Sequence, residues 1–561
     1  MTPIGFDKAM NASQWLTLVK APYGPLRRIL RENYGNDTDI HRERLQLFHS
    51  AVQTYLEQYG DGLVRLFRSP GRINLRGMHV DTHGGCLNLM THHREVVLAI
   101  GTSSSESCFF SNIDPSLEPV EWDIGSPPQT LDWNRFINEP AVIAAVRAQP
   151  GHWKHYLQGC LQRVQRLRPE QRIMAIQGVF GGDLPQGAAL SSSAALCMVF
   201  VTALDAVNEL GLTFSERILA ARDAEWYAGA RVGVSDQGAM ALGRFNKLIS
   251  VALDAARLDE AVPRYVDFPD DLAVIVIHSH TQRSLSGRHA IDYARNRFAY
   301  SIALDVVRQV MSERGWPSTQ VASLCGLADL APRSNGPIRD GNTLYELLLA
   351  IPETMTIDDL RERYRLPTFE LAWEQYLGSI PDGECPWTIQ LRGPLIFGIA
   401  ESERARLFPK AIEQGQYKEA GRLMTVGHDG DRRVNSHGEP FHVDLSDAAI
   451  ENLRAEGAPI HDCPGAYGAS SPALDRLVDA ALDGGALGAS LTGAGIAGSV
   501  LALCHAERIN TVTQNVEQLL SSPEYAAIVG LDRPLDLQSA RRSIVVNQAP
   551  AGAGEFSDCL S

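Results

Sequence analysis

The 561-residue sequence lacks paired cysteines, a leader-like N-terminus and an apolar run suited to a membrane. Its nine cysteines are scattered and odd in number, and no two form a CxxC pair. We therefore expect free thiols in a reducing compartment rather than disulfides or a zinc site. The uncharged stretch 484–504 is too rich in Gly, Ser and Thr for a membrane span. No basic segment followed by an apolar one opens the chain, so no signal peptide is indicated and a cytoplasmic protein is expected.

Positive charge is also scarce, with 51 Lys and Arg against 66 Asp and Glu and a formal net charge of -15. This balance opposes nucleic acid or an anionic membrane as the main partner, although it leaves room for a local basic pocket. The remaining composition, with 44% hydrophobic and 21% charged residues, is typical of a globular protein, and the length allows two to four domains.

The most informative stretch is 181–200, where a Gly/Pro loop and three serines separate two regular segments. The apolar, β-branched residues 172–180 predict a strand before the loop, and helical spacing follows the serines. A helix N-terminus has unpaired N–H groups and partial positive charge, and one of Ser191, Ser192 and Ser193 could be its N-cap. The stretch fits either a phosphate-binding loop or a capped helix after a tight loop. It is not a P-loop, because the lysine of that motif is missing.

A dense polar set lies within 63–85, where alternating apolar residues predict a strand, a Ser-Pro-Gly break and a second short strand. Arg72 could stabilise phosphate charge. His79 and Asp81 could hydrogen-bond sugar hydroxyls, or could ligate a metal together with His83, since alternate residues of an extended segment share a face. A polar hairpin turn without a catalytic role is the remaining interpretation.

Two acidic residues follow on different elements. Glu225 lies near the end of a predicted helix, and the small-residue turn GVSDQGA presents Asp236 before a strand at 247–253. A solvated turn residue is one interpretation of Asp236, and a magnesium-plus-base pair with Glu225 is the other.

The flanking regions are predicted from periodicity and from the glycines. Residues 1–60 read as helical, and 312–388 read as an irregular insertion or small subdomain. Gly493, Gly495 and Gly498 formally match a dinucleotide fingerprint, but a β-run follows them where that motif needs a helix. A glycine-rich turn between two strands, which another loop can approach closely, fits better.

Three of these stretches, in this order, resemble the motifs of the GHMP small-molecule kinases, closest to the galactokinase branch. The family pattern PGRxNLxGEHxDxxGG resembles PGRINLRGMHVDTHGG at 70–85. PxGxGLSSSA resembles PQGAALSSSA at 185–194, and MTGAGFGG resembles LTGAGIAG at 491–498. The GxMDQ segment, which carries the catalytic aspartate in that branch, is similar to GVSDQ at 233–237.

The resemblance implies a two-domain α+β fold with the active site in the interdomain cleft. The N-terminal domain would span 1–265, including the helical extension 1–60, and the C-terminal domain would span 266–561. It implies ATP and Mg²⁺ as cofactors and a small sugar as substrate. The reaction would phosphorylate the anomeric hydroxyl to give a sugar 1-phosphate, and a sugar and ATP sensor without turnover, or a kinase for a non-sugar alcohol, are the alternatives.

The resemblance also implies residue roles. Asp236 would accept the proton of the attacking hydroxyl or orient it, and Arg72 would stabilise the transferring group and keep Asp236 ionised. Ser193 and Glu225 would hold Mg²⁺. Phosphoryl transfer needs such positioning and charge neutralisation more than covalent chemistry. The ATP phosphates would contact Pro185, Gly187, Ala188, Ala189, Leu190, Ser191, Ser192 and Ser193, supported by Gly493 and Gly495, and the sugar would contact His79, Asp81 and Tyr293.

Departures from the family pattern bear on the substrate. Met78 stands where galactokinases have the Glu that faces the C6 hydroxyl of the sugar, and Met cannot accept that hydrogen bond. The segment MHVDTHGG is similar to that of galacturonate kinases. We therefore expect a sugar altered at C6, such as a uronic acid, a pentose or a deoxy sugar. Arg76 could pair with a C6 carboxylate or could be an exposed strand residue, and Ala189 replaces the usual loop glycine.

Overall fold

The structure is a computed structural model that describes most of the chain. The described residues are 6, 9–21, 24, 26–81, 84–125, 132–185, 187, 189–255, 257–281, 288–332, 336–378, 380 and 387–556.

The strands form two main sheets, largely antiparallel, and a separate two-stranded sheet. They are β1 (Met10–Asn11), β2 (Leu63–Arg76), β3 (Cys86–Thr102), β4 (Ser107–Asn112), β5 (Val120–Asp123), β6 (Ile176–Gly182), β7 (Lys247–Ala252), β8 (Arg264–Asp267), β9 (Leu272–His278), β10 (Thr354–Thr356), β11 (Thr388–Gln390), β12 (Gly488–Thr492), β13 (Ser499–His505), β14 (Ile544–Val546) and β15 (Gly554–Glu555).

The helices lie on the faces of these sheets. They are α1 (Ala12–Lys20), α2 (Leu26–Tyr34), α3 (Thr38–Tyr59), α4 (Trp133–Ile137), α5 (Pro140–Ala148), α6 (Trp153–Leu167), α7 (Ser192–Asn208), α8 (Phe214–Tyr227), α9 (Ser235–Leu242), α10 (Arg288–Glu313), α11 (Ser318–Ala322), α12 (Gly341–Leu349), α13 (Ile357–Arg363), α14 (Phe369–Tyr376), α15 (Arg392–Glu413), α16 (Tyr417–Asp429), α17 (Asp447–Glu456), α18 (Pro472–Asp483), α19 (Ile509–Leu520), α20 (Pro523–Val529) and α21 (Leu537–Arg542).

The larger sheet has nine strands in the order β1-β2-β3-β6-β4-β5, with β15 beside β2, β7 beside β3 and β8 beside β7. Alternate residues of its central strands face opposite cores, as the two-residue period of a strand requires. Val97 and Ala99 pack with the helices α1 and α3, whereas Leu98 and Ile100 pack with α6 and α7. The helical extension predicted for 1–60 is thus present, and it covers one face of this sheet.

Strand β2 runs unbroken through Pro70 and Gly71, so the predicted Ser-Pro-Gly break is wrong. The register with β3 shifts between these two residues, and pairing with the same strand continues on both sides. Proline lacks the N–H that a ladder needs, and a bulge accommodates it without ending the strand. The bulge places Arg72 immediately beyond an irregularity in the sheet.

The second sheet has the order β12-β13-β9-β14 and is antiparallel throughout. Its β12–β13 hairpin contains the glycine cluster, which confirms a turn between strands in place of a dinucleotide fingerprint. Residues 312–388 are more regular than expected, because they contain α11 to α14 and share a hydrophobic core with β9 and α15.

The end of the described chain returns to the first sheet. Asn547 donates a hydrogen bond to the carbonyl of Thr91 at 3.1 Å, and β15 pairs with β2. Strand β8 also joins the first sheet through β7 and crosses position 265. The domain division at 265/266 therefore stays a prediction. No helix in the described ranges is both long and apolar enough to cross a bilayer, and the described cysteines are free thiols.

Candidate active site

The loop between β6 and α7 has an unusual backbone. Gly187, Ala189 and Ser191 have φ angles of 76°, 56° and 62°, in the left-handed region. Left-handed residues in a short loop turn backbone N–H groups toward one side, and such a concavity favours an anion. Ala189 adopts this conformation with a side chain, at a cost of about 1–2 kcal/mol relative to ordinary backbone. Ala188 lies outside the described residues.

Helix α7 begins at Ser192 and points its first turn at this loop. Ser191 occupies the N-cap position, but its hydroxyl makes no capping bond and instead donates to Asp236. Ser191 is therefore the N-cap residue, as one of the three serines was expected to be, but its left-handed backbone turns the hydroxyl toward α9 and not toward the N–H groups of the helix. The first N–H groups of α7 keep their partial positive charge for an anion.

Arg72 and Asp236 form the central ion pair of the site. The Nε of Arg72 donates to Oδ1 of Asp236 at 2.7 Å, and the two side chains are 6% and 21% exposed. Arg72 also donates through its guanidinium to the carbonyl of Ala189 and through its backbone N–H to that of Leu190. Asp236 lies in the first turn of α9 and not on a turn as predicted, and an acidic residue is favourable there because of the helix dipole. The pair therefore joins β2, α9 and the loop between β6 and α7 (183–191), named the phosphate loop here after its predicted role.

Ser193 and Glu225 lie together beside this pair. The Ser193 hydroxyl donates to Oε1 of Glu225 at 2.7 Å, and Gln237 donates to the other oxygen. Burial, together with the negative charge of Asp236, raises the pKa of Glu225 to about 8 against the opposing bonds from Ser193 and Gln237. Within the described ranges, no three His, Cys, Asp or Glu side chains are arranged to hold a metal. The hydroxyl and carboxylate nevertheless suit Mg²⁺, which takes one or two carboxylates and completes its shell with water and phosphate.

His79 and Asp81 follow the end of β2 and contact different parts of the chain. The imidazole of His79 stacks on Tyr467 with ring centroids 4.4 Å apart, and its Nε2 lies 3.6 Å from Asp431. Asp81 accepts a hydrogen bond from the Ser235 hydroxyl at 2.8 Å. Because Ser235 immediately precedes Asp236, this bond holds Asp81 near the start of α9. His83 and the Tyr293 side chain lie outside the described part, so the proposed sugar contact of Tyr293 stays a prediction.

Arg76 is buried, contrary to both interpretations that its sequence position suggested. Only 1% of its side chain is exposed, and its guanidinium lies 3.2 Å from Glu401. Glu401 also accepts the N–H groups of Gly77 and Met78, at 2.7 and 3.2 Å, and pairs with Arg404. Because Arg76 neutralises Glu401 inside the protein, it has no free face for a C6 carboxylate. Met78 is likewise buried, with 2% exposure.

The glycine-rich β12–β13 turn packs on the phosphate loop. A Cβ added at Gly493 would lie 3.2 Å from the Cβ of Ala189, and one added at Gly498 would overlap that atom. Gly495 instead approaches the carbonyl of Ala469. Gly493 and Gly498 therefore give the loop its support, and sequence reasoning did not single out Gly498 for this contact.

A cavity of about 910 Å³ opens beside Ser192 and Ser193, and sequence reasoning missed it. Its walls come from β3, β4, β6 and the starts of α6 and α7. The aromatic pair at 153 and 156 was a local signal, but only the fold shows that it faces the serines. Side chains that shape the cavity are Asn112, Trp153, Tyr156, Leu184, Ser192 and Ser193.

Comparisons with known proteins identify the family of the chain. The description "GHMP kinases N terminal domain" fits residues 155–244, "GHMP kinases C terminal" fits 409–521, and "Galactokinase galactose-binding signature" fits 53–102. A galactokinase from Clostridium perfringens is 28% identical over 321 residues, covering 57% of this chain and 74% of that protein. One from Thermococcus kodakarensis is 24% identical over 454 residues, covering 80% and 92%.

The crystal structure of Lactococcus lactis galactokinase complexed with galactose has the same fold, with a TM-score of 0.59 at 19% identity. The structural match covers 90% of this chain and 98% of the Lactococcus lactis chain. The chain belongs to the GHMP kinase family, with its two-domain α+β fold. Within that family it belongs to the galactokinase-like branch, which confirms the family and the enzyme class predicted from the motifs.

Proposed function

We propose that this kinase transfers the γ-phosphoryl group of ATP to the anomeric hydroxyl of a galactose-like sugar and forms a sugar 1-phosphate. The observation that carries the proposal is the Arg72–Asp236 pair, 2.7 Å apart, at the mouth of a loop and helix N-terminus built for phosphate. This arrangement supplies charge neutralisation and a carboxylate acceptor, the two requirements of phosphoryl transfer to a hydroxyl.

The phosphates would lie along the loop from Gly187 to Ser193, and the base and ribose would enter the 910 Å³ cavity. Backbone N–H groups of the loop and the dipole of α7 would hold the phosphate oxygens. Arg72, anchored to the carbonyl of Ala189, would border the transferring group and stabilise charge as it develops.

Asp236 would orient the sugar hydroxyl and take its proton. Its Oδ2 now accepts the hydroxyl of Ser191, an O–H donor like that of a sugar. With 21% of its side chain exposed, the carboxylate can be reached from the cleft. The hydroxyl oxygen would then attack the γ-phosphorus as the bond to ADP breaks, and the proton would rest on Asp236.

Ser193 and Glu225 are the residues that would hold Mg²⁺. When bound there, the ion would neutralise phosphate charge and favour the ionised form of Glu225. The 2.7 Å contact between the hydroxyl and the carboxylate supports this assignment, since both oxygens are then close enough to serve one small ion.

The sugar would contact His79 and Asp81, which lie within the matched galactose-binding signature. We propose a sugar altered at C6, because Met78 offers no hydrogen-bond acceptor where the resembling pattern has Glu. Glu401 does not replace that acceptor. One of its oxygens already accepts the N–H groups of Gly77 and Met78, and the other is paired with arginine.

The test is phosphorus NMR of the protein with Mg-ATP and galactose, galacturonate, arabinose or fucose. A new anomeric phosphate resonance is expected, strongest with a sugar altered at C6. Asp236→Asn should abolish it, whereas Asp259→Asn, an exposed control, should not. Product from galactose alone would refute the C6 argument and keep the kinase. Binding of ATP and sugar without any product would refute the kinase and favour a sensor.

A further inference from the structure

We propose that a second site, for a small phosphate-bearing anion, lies between β3 and the four-stranded sheet, next to the phosphate loop. A cavity of about 310 Å³ is present there, at the small end of the range for ligand sites. It is separate from the 910 Å³ cavity, with which it shares no lining residue.

The lining of this cavity carries nitrogen donors and no carboxylate. Three elements supply them: β3, the end of β9 with the residues after it, and α21. Because arginine forks and hydroxyls match the oxygens of phosphate, the chemistry favours a phosphate group over a cation or an apolar ligand. The nitrogen-bearing side chains are two arginines, Arg94 and Arg542, and three histidines whose pKa values burial lowers, namely His92, His278 and His280.

The two arginines are not neutralised locally. Within the described residues, both arginines line the cavity without a carboxylate ion pair. Arg542 donates to the carbonyl of Gln538 at 3.5 Å, and it interacts with the charge of Asp536 at the start of α21. Both arginines line the cavity, so an anion bound there would be attracted to both guanidinium groups. Their position therefore selects for an anionic occupant.

His92 supplies an independent observation. Its Nδ1 accepts the backbone N–H of Arg94 at 3.0 Å, so in the neutral ring the proton is on Nε2. That Nε2 is buried and has no hydrogen-bond partner among the described residues. Burial also lowers the pKa of His92, which keeps the ring neutral. A buried donor without an acceptor is costly, and a shift of the His92 ring toward the cavity would let an anion oxygen accept this hydrogen bond.

The cavity also touches the phosphate loop. Pro185 and Leu190 form part of its wall, and Ser499 follows the glycine turn that supports the loop. The carbonyl of Leu190 accepts the N–H of Arg72 at 3.3 Å. An anion in the cavity would therefore contact Leu190, which precedes Ser191 in the loop. We expect this contact to change the affinity for ATP.

The experiment is isothermal titration of inorganic phosphate, pyrophosphate and glycerol phosphate into the full chain saturated with a non-hydrolysable ATP analogue. One site per chain is expected, and Arg94→Gln or Arg542→Gln should weaken it at least tenfold. Arg541→Gln is the matched control, because the neighbouring arginine pairs with Glu517 and does not line the cavity. Preference for glycerol phosphate over inorganic phosphate would identify a phosphorylated metabolite, and the reverse would identify the free ion.

Three outcomes would overturn the proposal. The first is absence of binding to the wild-type chain. The second is competition with the ATP analogue, which would place the anion in the nucleotide site. The third is equal weakening by Arg541→Gln, which would reveal diffuse charge attraction. Thermal unfolding of each variant checks its fold, and Arg542, being exposed, can be replaced without disturbing the core.

Discussion

Glu225 should make the metal-free protein less stable as the pH rises. Its pKa is about 8 in the folded chain against an ordinary 4.5, and it is buried. Between these values the folded state keeps a proton that the unfolded state loses, so the free energy of unfolding falls as pH rises. The slope is about 1.4 kcal/mol per pH unit, and the total is roughly 5 kcal/mol as an upper bound.

Replacement by Gln removes the titrating group and keeps the shape. We expect Glu225→Gln and wild type to unfold at the same temperature near pH 4.5. As the pH rises toward 8, the unfolding temperature of the variant should exceed that of wild type by a growing margin. Glu216→Gln on the same helix is the control. Arg168 lowers the pKa of Glu216 to about 2, so the contribution of Glu216 changes only below pH 4.5 and stays constant above it.

Magnesium gives the same prediction a second readout. A cation beside the carboxylate favours its charged form, so Mg²⁺ should stabilise wild type more at pH 8 than at pH 5 and should release a proton on binding. Thermal unfolding at several pH values, with and without Mg²⁺, measures both effects. A difference between wild type and Glu225→Gln that does not vary with pH would refute the reasoning.

Three further changes test the loop, the buried cluster and the substrate. Gly498→Ala should raise the KM for ATP at least tenfold, because the added methyl overlaps Ala189. Gly485→Ala is the control, since Gly485 has a similar positive φ but open space around it, and the change should cost only backbone strain. Equal KM values for the two variants in a kinase assay would contradict the contact. Glu401→Gln should lower the free energy of unfolding by about 3–5 kcal/mol in urea denaturation, because two buried arginines lose their partner. Met78→Glu should shift kcat/KM toward galactose at least tenfold over a C6-altered sugar, and an unchanged ratio would show that C6 selectivity arises elsewhere.

Local rules were enough to predict the elements that carry the active site. The helix after the three serines, the helix that bears Glu225 and the hairpin around Gly493 all follow from residue spacing and from the residues that follow each turn. The segment around Asp236 was predicted as a turn, whereas the structure has the first turn of helix α9 there. Short, glycine-rich segments favour a turn by composition, and only the packing of α9 against β2 and β3 shows that a helix starts at Ser235.

The side-chain pairings could not be predicted in the same way. Arg76 and Glu401 are separated by 325 positions, and nothing in either neighbourhood indicates the other. An arginine on a strand is usually exposed, and burial depends on a partner that only the tertiary structure supplies. The same holds for the cavity beside Ser193, whose walls come from five elements.

The contact at Ala189 gives a physical reason for two glycines of the β12–β13 turn. Ala189 has a left-handed backbone and a methyl group where the resembling pattern has glycine, so the loop is both strained and bulkier. The hairpin meets that methyl with Gly493 and Gly498, which leave the space it occupies. Thr492 fixes the approach, because its hydroxyl accepts the N–H of Asn74 at 3.1 Å, two residues beyond Arg72. The two glycines therefore leave the space that lets the β12–β13 hairpin of the second sheet pack on the loop beside Arg72.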